Sequence, residues 1–86
     1  MIIRYRKTFS KRYKKLPPKI QRQFDDRLRL FVKNPSDPLL KLHPLRGRYA
    51  GYWSINVTSD YRALFVRKSD SAIMFMLIGT HSQLYG

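Results

Sequence analysis

Residues Ala72–Ile78 are apolar at every position. Such a run is too short to cross a bilayer and too continuous for a strand with one face in water. It predicts a central strand buried on both faces, and the rest of the chain must supply the cover. Neighbouring strands are close at hand. Trp53, Ile55 and Val57 alternate with Ser54, Asn56 and Thr58, the period of an extended strand. Ser59-Asp60 then forms a turn, Tyr61–Arg67 a second strand, and Lys68-Ser69-Asp70 the turn into the apolar run. Three strands joined by short turns read as an antiparallel meander.

The cover comes from the first part of the chain. Ile2–Arg6 reads as a short opening strand. Phe9, Tyr13 and Leu16 then fall at i, i+4 and i+7, one stripe of a helix, with Thr8 or Ser10 available as its cap. Pro17-Pro18 stops that helix and suits the first turn of the next. Ile20, Phe24, Leu28 and Phe31 form the second stripe, which Asn34-Pro35 ends. Leu39–Leu45 is an approach segment or short strand, ending at Arg46-Gly47-Arg48. The expected fold is a single α+β domain over residues 1–86, in the order β-α-α-β-β-β. Its sheet is mostly antiparallel, with both helices packed on one face and the other partly open to a ligand or partner. Trp53, Met74, Phe75 and Met76 are assigned to the core.

Charge narrows the class of partner. Eighteen Lys and Arg face five acids, a net charge of +13, and there is no Glu. Twelve of the bases lie in residues 1–33, against Asp25 and Asp26 alone. Such a surplus repels itself and favours a polyanion: nucleic acid, an acidic protein, or both. The outward bases of the helices, among them Lys11, Arg12, Lys15 and Arg22, are too spread for a catalytic site and suit docking. The chain has no cysteine. This excludes disulfides, thiolate metal sites and a Cys nucleophile, and it fits a cytoplasmic location. No apolar stretch is long enough for a membrane partner, and Met1-Ile2-Ile3-Arg4 does not read as the start of a secretory signal.

Three segments in register carry a resemblance: His43-Pro44-Leu45-Arg46-Gly47, Gly51–Arg62, and Ile78-Gly79-Thr80-His81-Ser82-Gln83-Leu84-Tyr85-Gly86. They resemble the RelE/ParE superfamily of type II toxin–antitoxin toxins, and within it the YafQ branch. The resemblance implies a RelE-like fold and an mRNA interferase that enters the ribosomal A site and cuts the message there. It also implies a cognate antitoxin that wraps a monomeric toxin into a hetero-oligomer. The matching positions His43, Asp60, His81 and Tyr85 carry catalysis or substrate contact in that branch. Some relatives place an acid and a second His where this chain has Ser54 and Asn56.

The residues fit such chemistry. RNA brings its own nucleophile, the 2′-OH. Cleavage needs a base for that proton, an acid for the leaving 5′-oxygen, and cations for the charge on the phosphorane. Imidazole alone among side chains gives and takes a proton near neutrality in its ordinary state. His81, just beyond the apolar strand, is the expected acid. His43 is the expected base or phosphate partner, and Asp60 a base or a group orienting a His. Arg46, Arg48, Arg62 and Lys41 are expected on phosphate. Tyr85 either stacks on a nucleobase or pins the end of the chain to the core. No metal and no cofactor are expected. Two further readings stay open: a ParE-like, non-enzymatic gyrase poison, and a basic RNA- or ribosome-binding protein with weakened catalysis. A chain this basic, with an open sheet face, also suits an acidic amphipathic segment as antitoxin.

Overall fold

The computed structural model describes residues 1–86, the whole chain. In chain order it has β1 (Ile2–Tyr5), α1 (Lys7–Lys15), α2 (Pro18–Lys33), β2 (His43–Pro44), β3 (Trp53–Asn56), β4 (Tyr61–Ser69), β5 (Ala72–Thr80) and α3 (His81–Tyr85). Single 3₁₀ turns at Pro38–Leu40 and Gly47–Tyr49 flank β2. The five strands form one sheet in the order β1-β5-β4-β3-β2. β1 runs parallel to β5 and every other pair is antiparallel. This is the expected α+β architecture, with the meander β3-β4-β5 at its centre.

Aromatic side chains build the core on the helix side. Phe9 of α1 and Phe24 of α2 meet Phe75 of β5, with ring centroids 5.5 and 5.2 Å from it. Phe31 meets Phe65 of β4 at 5.3 Å. The Phe24 and Phe31 pairs are edge-to-face, an arrangement that adds about 0.5–1.5 kcal/mol per pair beyond the buried area. Leu40, Ile55, Val57, Ala63, Ile73 and Ile78 complete this cluster. The apolar run is continuous because β5 carries a bulge. Phe75 pairs with Phe65 and Leu77 with Leu64, which leaves Met76 as an extra, buried residue. Ile73, Phe75 and Ile78 thereby face the helices, while Leu77 faces away with Leu64.

Several expectations are corrected. A third helix, α3, follows the last strand, an element that the expected order β-α-α-β-β-β does not contain. The segment Leu39–Leu45 is, as expected, an approach leading into a short strand, the two residues His43–Pro44. Neither Thr8 nor Ser10 caps α1: the cap position is Arg6, without a side-chain bond. Thr8 instead donates from Oγ1 to the Met76 carbonyl at 2.8 Å, tying α1 to the bulge. Trp53 and Met74 are half-buried, whereas Phe75 and Met76 are buried.

Candidate active site

The sheet face away from α1 and α2 carries the polar residues. The register aligns His43, Ser54, Leu64 and Leu77 in one row across four strands, and Asn56, Arg62 and Gly79 in the next. α3 borders these rows. Thr80 caps it reciprocally: its Oγ1 accepts from the Gln83 N–H at 3.2 Å, and Gln83 Oε1 accepts from the Thr80 N–H at 2.8 Å. Gly79 leaves room for that cap, since a Cβ there would lie 2.9 Å from Gln83 Oε1. The cap fixes His81 as the first helical residue, and its N–H donates to the Asp60 carbonyl at 3.1 Å. Leu84 is buried, so the short helix is anchored on the fold.

The result is a hollow of about 520 Å³ lined by Lys41, His43, Leu45, Ser54, Asn56, Arg62, His81 and Tyr85. Its volume falls in the range of small-molecule sites, ~300–1,000 Å³. The two histidines lie 38 positions apart in sequence and share this one hollow. His43 Nδ1 sits 2.7 Å from the Lys41 carbonyl oxygen. A carbonyl only accepts, so Nδ1 carries the proton and Nε2 is the nitrogen available for other chemistry. Lys41 presents that carbonyl from a left-handed conformation, φ 46°. Arg62 is anchored through one nitrogen, which donates to the carbonyls of Thr58 and Tyr61 at 3.0 and 3.1 Å. Its other donors are left for the hollow.

Tyr85 stands between two rings, 4.7 Å from His81 and 5.6 Å edge-on to Tyr49. Burial pushes its phenol above the ordinary tyrosine value. Tyr49 adds to that rise, and Ser54 and Arg62 pull partly against it.

The other expected residues lie outside the lining. Asp60 is exposed in the β3–β4 turn and reaches His81 through its backbone carbonyl. Its carboxylate is not among the groups lining the hollow. Arg48 donates to the Leu84 carbonyl at 2.9 Å and lies 5.2 Å over the Tyr49 ring, so it braces α3. Arg46 is exposed and outside the lining. Ser54, Asn56 and Leu45 line the hollow without having been assigned to a site. Strand alternation had set Ser54 and Asn56 on the polar face, and the closing helix turned that face into a site. No three His or Asp side chains cluster as a metal-ligand set.

Residues 3–85 match the model of the ParE toxin of type II toxin–antitoxin systems, parDE. The chain belongs to this toxin family. The toxin is YafQ-like within the wider RelE/ParE superfamily. The crystal structure of YafQ from E. coli strain BL21(DE3) superposes with a TM-score of 0.82 at 26% identity, over 98% of this toxin and 97% of YafQ. YafQ in the E. coli DinJ–YafQ toxin–antitoxin complex gives 0.79 at 26% identity, over 98% of this toxin and 96% of that chain. A YoeB/ParE toxin from Agrobacterium tumefaciens shares the fold, with a TM-score of 0.76 at 22% identity over 94% of this toxin and 99% of that chain. No sequence match is found among curated proteins. No helix of the toxin is long and apolar enough to cross a membrane.

Proposed function

We propose that this toxin is an endoribonuclease that cleaves mRNA in the ribosomal A site by general acid–base attack of the 2′-OH, needing neither metal nor cofactor. The observation that carries the reading is the shared hollow. His43 from β2 and His81 from α3 converge there with Arg62, Lys41 and Tyr85. In this reading His43 Nε2 takes the 2′-OH proton, because Nδ1 is held protonated by the Lys41 carbonyl. The 2′-oxygen bonds to phosphorus and the P–O5′ bond breaks. His81 gives a proton to the departing 5′-oxygen, leaving a 2′,3′-cyclic phosphate and a 5′-hydroxyl. Arg62 and Lys41 stabilise the charge on the phosphorane. Tyr85 stacks on a base and holds the phosphate in line. Asp60 holds the His81 backbone in place, and Arg48 supports α3.

The partner belongs to the same proposal. E. coli YafQ is solved with its antitoxin DinJ, and a net charge of +13 suits an acidic antitoxin segment. Cover over His43 and His81 switches the toxin off in this reading. A gyrase poison is the competing reading, motivated by the match to the ParE family. It needs a protein-binding surface and gives no work to two convergent imidazoles. The deciding experiment supplies purified toxin with programmed ribosomes and maps message ends, with a gyrase supercoiling assay in parallel. New 5′-hydroxyl ends that vanish with His81→Ala support the nuclease. Intact message with inhibited supercoiling overturns it.

A further inference from the structure

Ser54 is the one buried polar side chain of the molecule, with no exposed surface, and its Oγ has no hydrogen-bond partner. An enclosed hydroxyl without a partner weakens a fold, and alanine suits the same strand position without that penalty. Packing therefore does not account for a serine here. The register does place it. Ser54 pairs with His43 on β2 and Leu64 on β4, so it forms part of the floor of the hollow. Leu64 cannot bond to a hydroxyl, and Nδ1 of His43 is committed to the Lys41 carbonyl. The Tyr85 phenol lines the same hollow, and Ser54 is close enough to pull its ionisation downward against the effect of burial.

We propose that Ser54 is a positioning residue that acts through Tyr85: its hydroxyl, already beside the phenol oxygen in the free toxin, closes to a full hydrogen bond as RNA fills the hollow, and holds the ring against the nucleotide at the scissile phosphate. The inference rests on the ribonuclease reading. No covalent bond changes at Ser54. A hydroxyl pair at the floor strengthens when substrate excludes water from above it. The unpartnered hydroxyl of the free toxin is then a feature of the empty site and is satisfied in the loaded one.

The test compares wild type, Ser54→Ala, Tyr85→Phe and the double variant on programmed ribosomes. Ser54→Ala is expected to keep or raise Tm, to lower kcat about tenfold, and to leave KM unchanged. In the Tyr85→Phe background it should cost nothing further, because the two substitutions remove one interaction. A lower Tm with the activity loss identifies a structural role and overturns the proposal. An unchanged kcat does the same, and so does an equal loss in the Tyr85→Phe background, which makes Ser54 a direct RNA contact. An independent arm reads the Tyr85 phenol by ultraviolet titration, as wild type minus Tyr85→Phe. Ser54→Ala should move that titration upward. No movement overturns the coupling even where wild type cuts no message, and that last outcome by itself defeats only the nuclease.

Discussion

At the scale of single residues, bonding separates the two imidazoles. His43 has its Nδ1 fixed on a carbonyl, so one nitrogen is left to act. His81 is held by its backbone, and its ring rests at 4.7 Å from Tyr85. His81→Ala should lower message cleavage by about 10²–10⁴-fold, the usual contribution of a positioned proton donor. Because His81 is exposed, the same variant should unfold at the wild-type temperature. A thermal melt beside the cleavage assay checks both. Arg62→Lys probes the cationic side. The guanidinium reaches two carbonyls with one nitrogen and still faces the hollow, whereas an ammonium is a single point. Cleavage should fall about tenfold, with a salt dependence of KM no steeper than that of wild type, because the charge is kept and only its planar fork is lost. Both histidines were legible because the chain has only two. The floor was not: Ser54 reads as the outward member of an alternating strand until something covers that face. Arg46 and Arg48 drew attention as phosphate ligands by flanking a glycine, yet Arg48 spends its guanidinium on the Leu84 carbonyl. Sequence proximity to a site did not decide where a long side chain points.

At the scale of elements, legibility followed length and period. α1 and α2 repeat every three or four residues, and Pro17-Pro18 marks their junction, so both stood out. α3 has five residues, too few to show a period, and its signal was the reciprocal Thr80–Gln83 cap. The parallel pairing of β1 with β5 was hidden too, since a four-residue strand carries no mark of its partner. The cap offers a test. Thr80→Ala should cost about 1 kcal/mol and free the start of α3, where His81 sits. Amide exchange at Gln83 should accelerate, and cleavage should fall although no lining residue has changed. The junction of α1 and α2 offers another. The Tyr13 hydroxyl donates to Asp25 at 2.9 Å across the two helices. Burial raises the Tyr13 phenol above 10.0, and Asp25 raises it further. Burial also raises Tyr5, again with Asp25 adding to it. A phenol whose ionisation is raised in the folded state holds its proton where the unfolded chain has released it. Its contribution is complete below pH about 10 and is lost as pH climbs through the folded value. Stability by urea titration should therefore decline from about pH 10 upward, and Tyr13→Phe should make that decline shallower.

At the scale of the whole molecule, charge sets the behaviour. The protein measures 31 × 28 × 25 Å and carries a net +13, with one ion pair, Arg29 to Asp26, on its surface. Asp25, the other acid among the helices, is bonded to Tyr13. The Debye length at 0.01 M salt is about 30 Å, so at that concentration nearly every base feels every other across the full width of the fold. At 0.15 M it is about 8 Å, and only neighbours interact. Added salt should then stabilise this protein, the opposite of what attractive surface pairs produce. If screening recovers about 1 kcal/mol, Tm should rise by about 4–8 °C between 0.01 and 0.15 M. Melts in a sodium chloride series at fixed pH measure it. A flat or falling Tm means that attraction prevails and that the unpaired bases are far enough apart to be indifferent. The same field that strains the free toxin attracts an acidic antitoxin and RNA, and those affinities must weaken as salt rises. Free stability and polyanion binding should therefore run in opposite directions along one salt axis. Stability of the free chain grows as its attraction for a partner fades, so low salt is where the isolated toxin is weakest and its complex strongest.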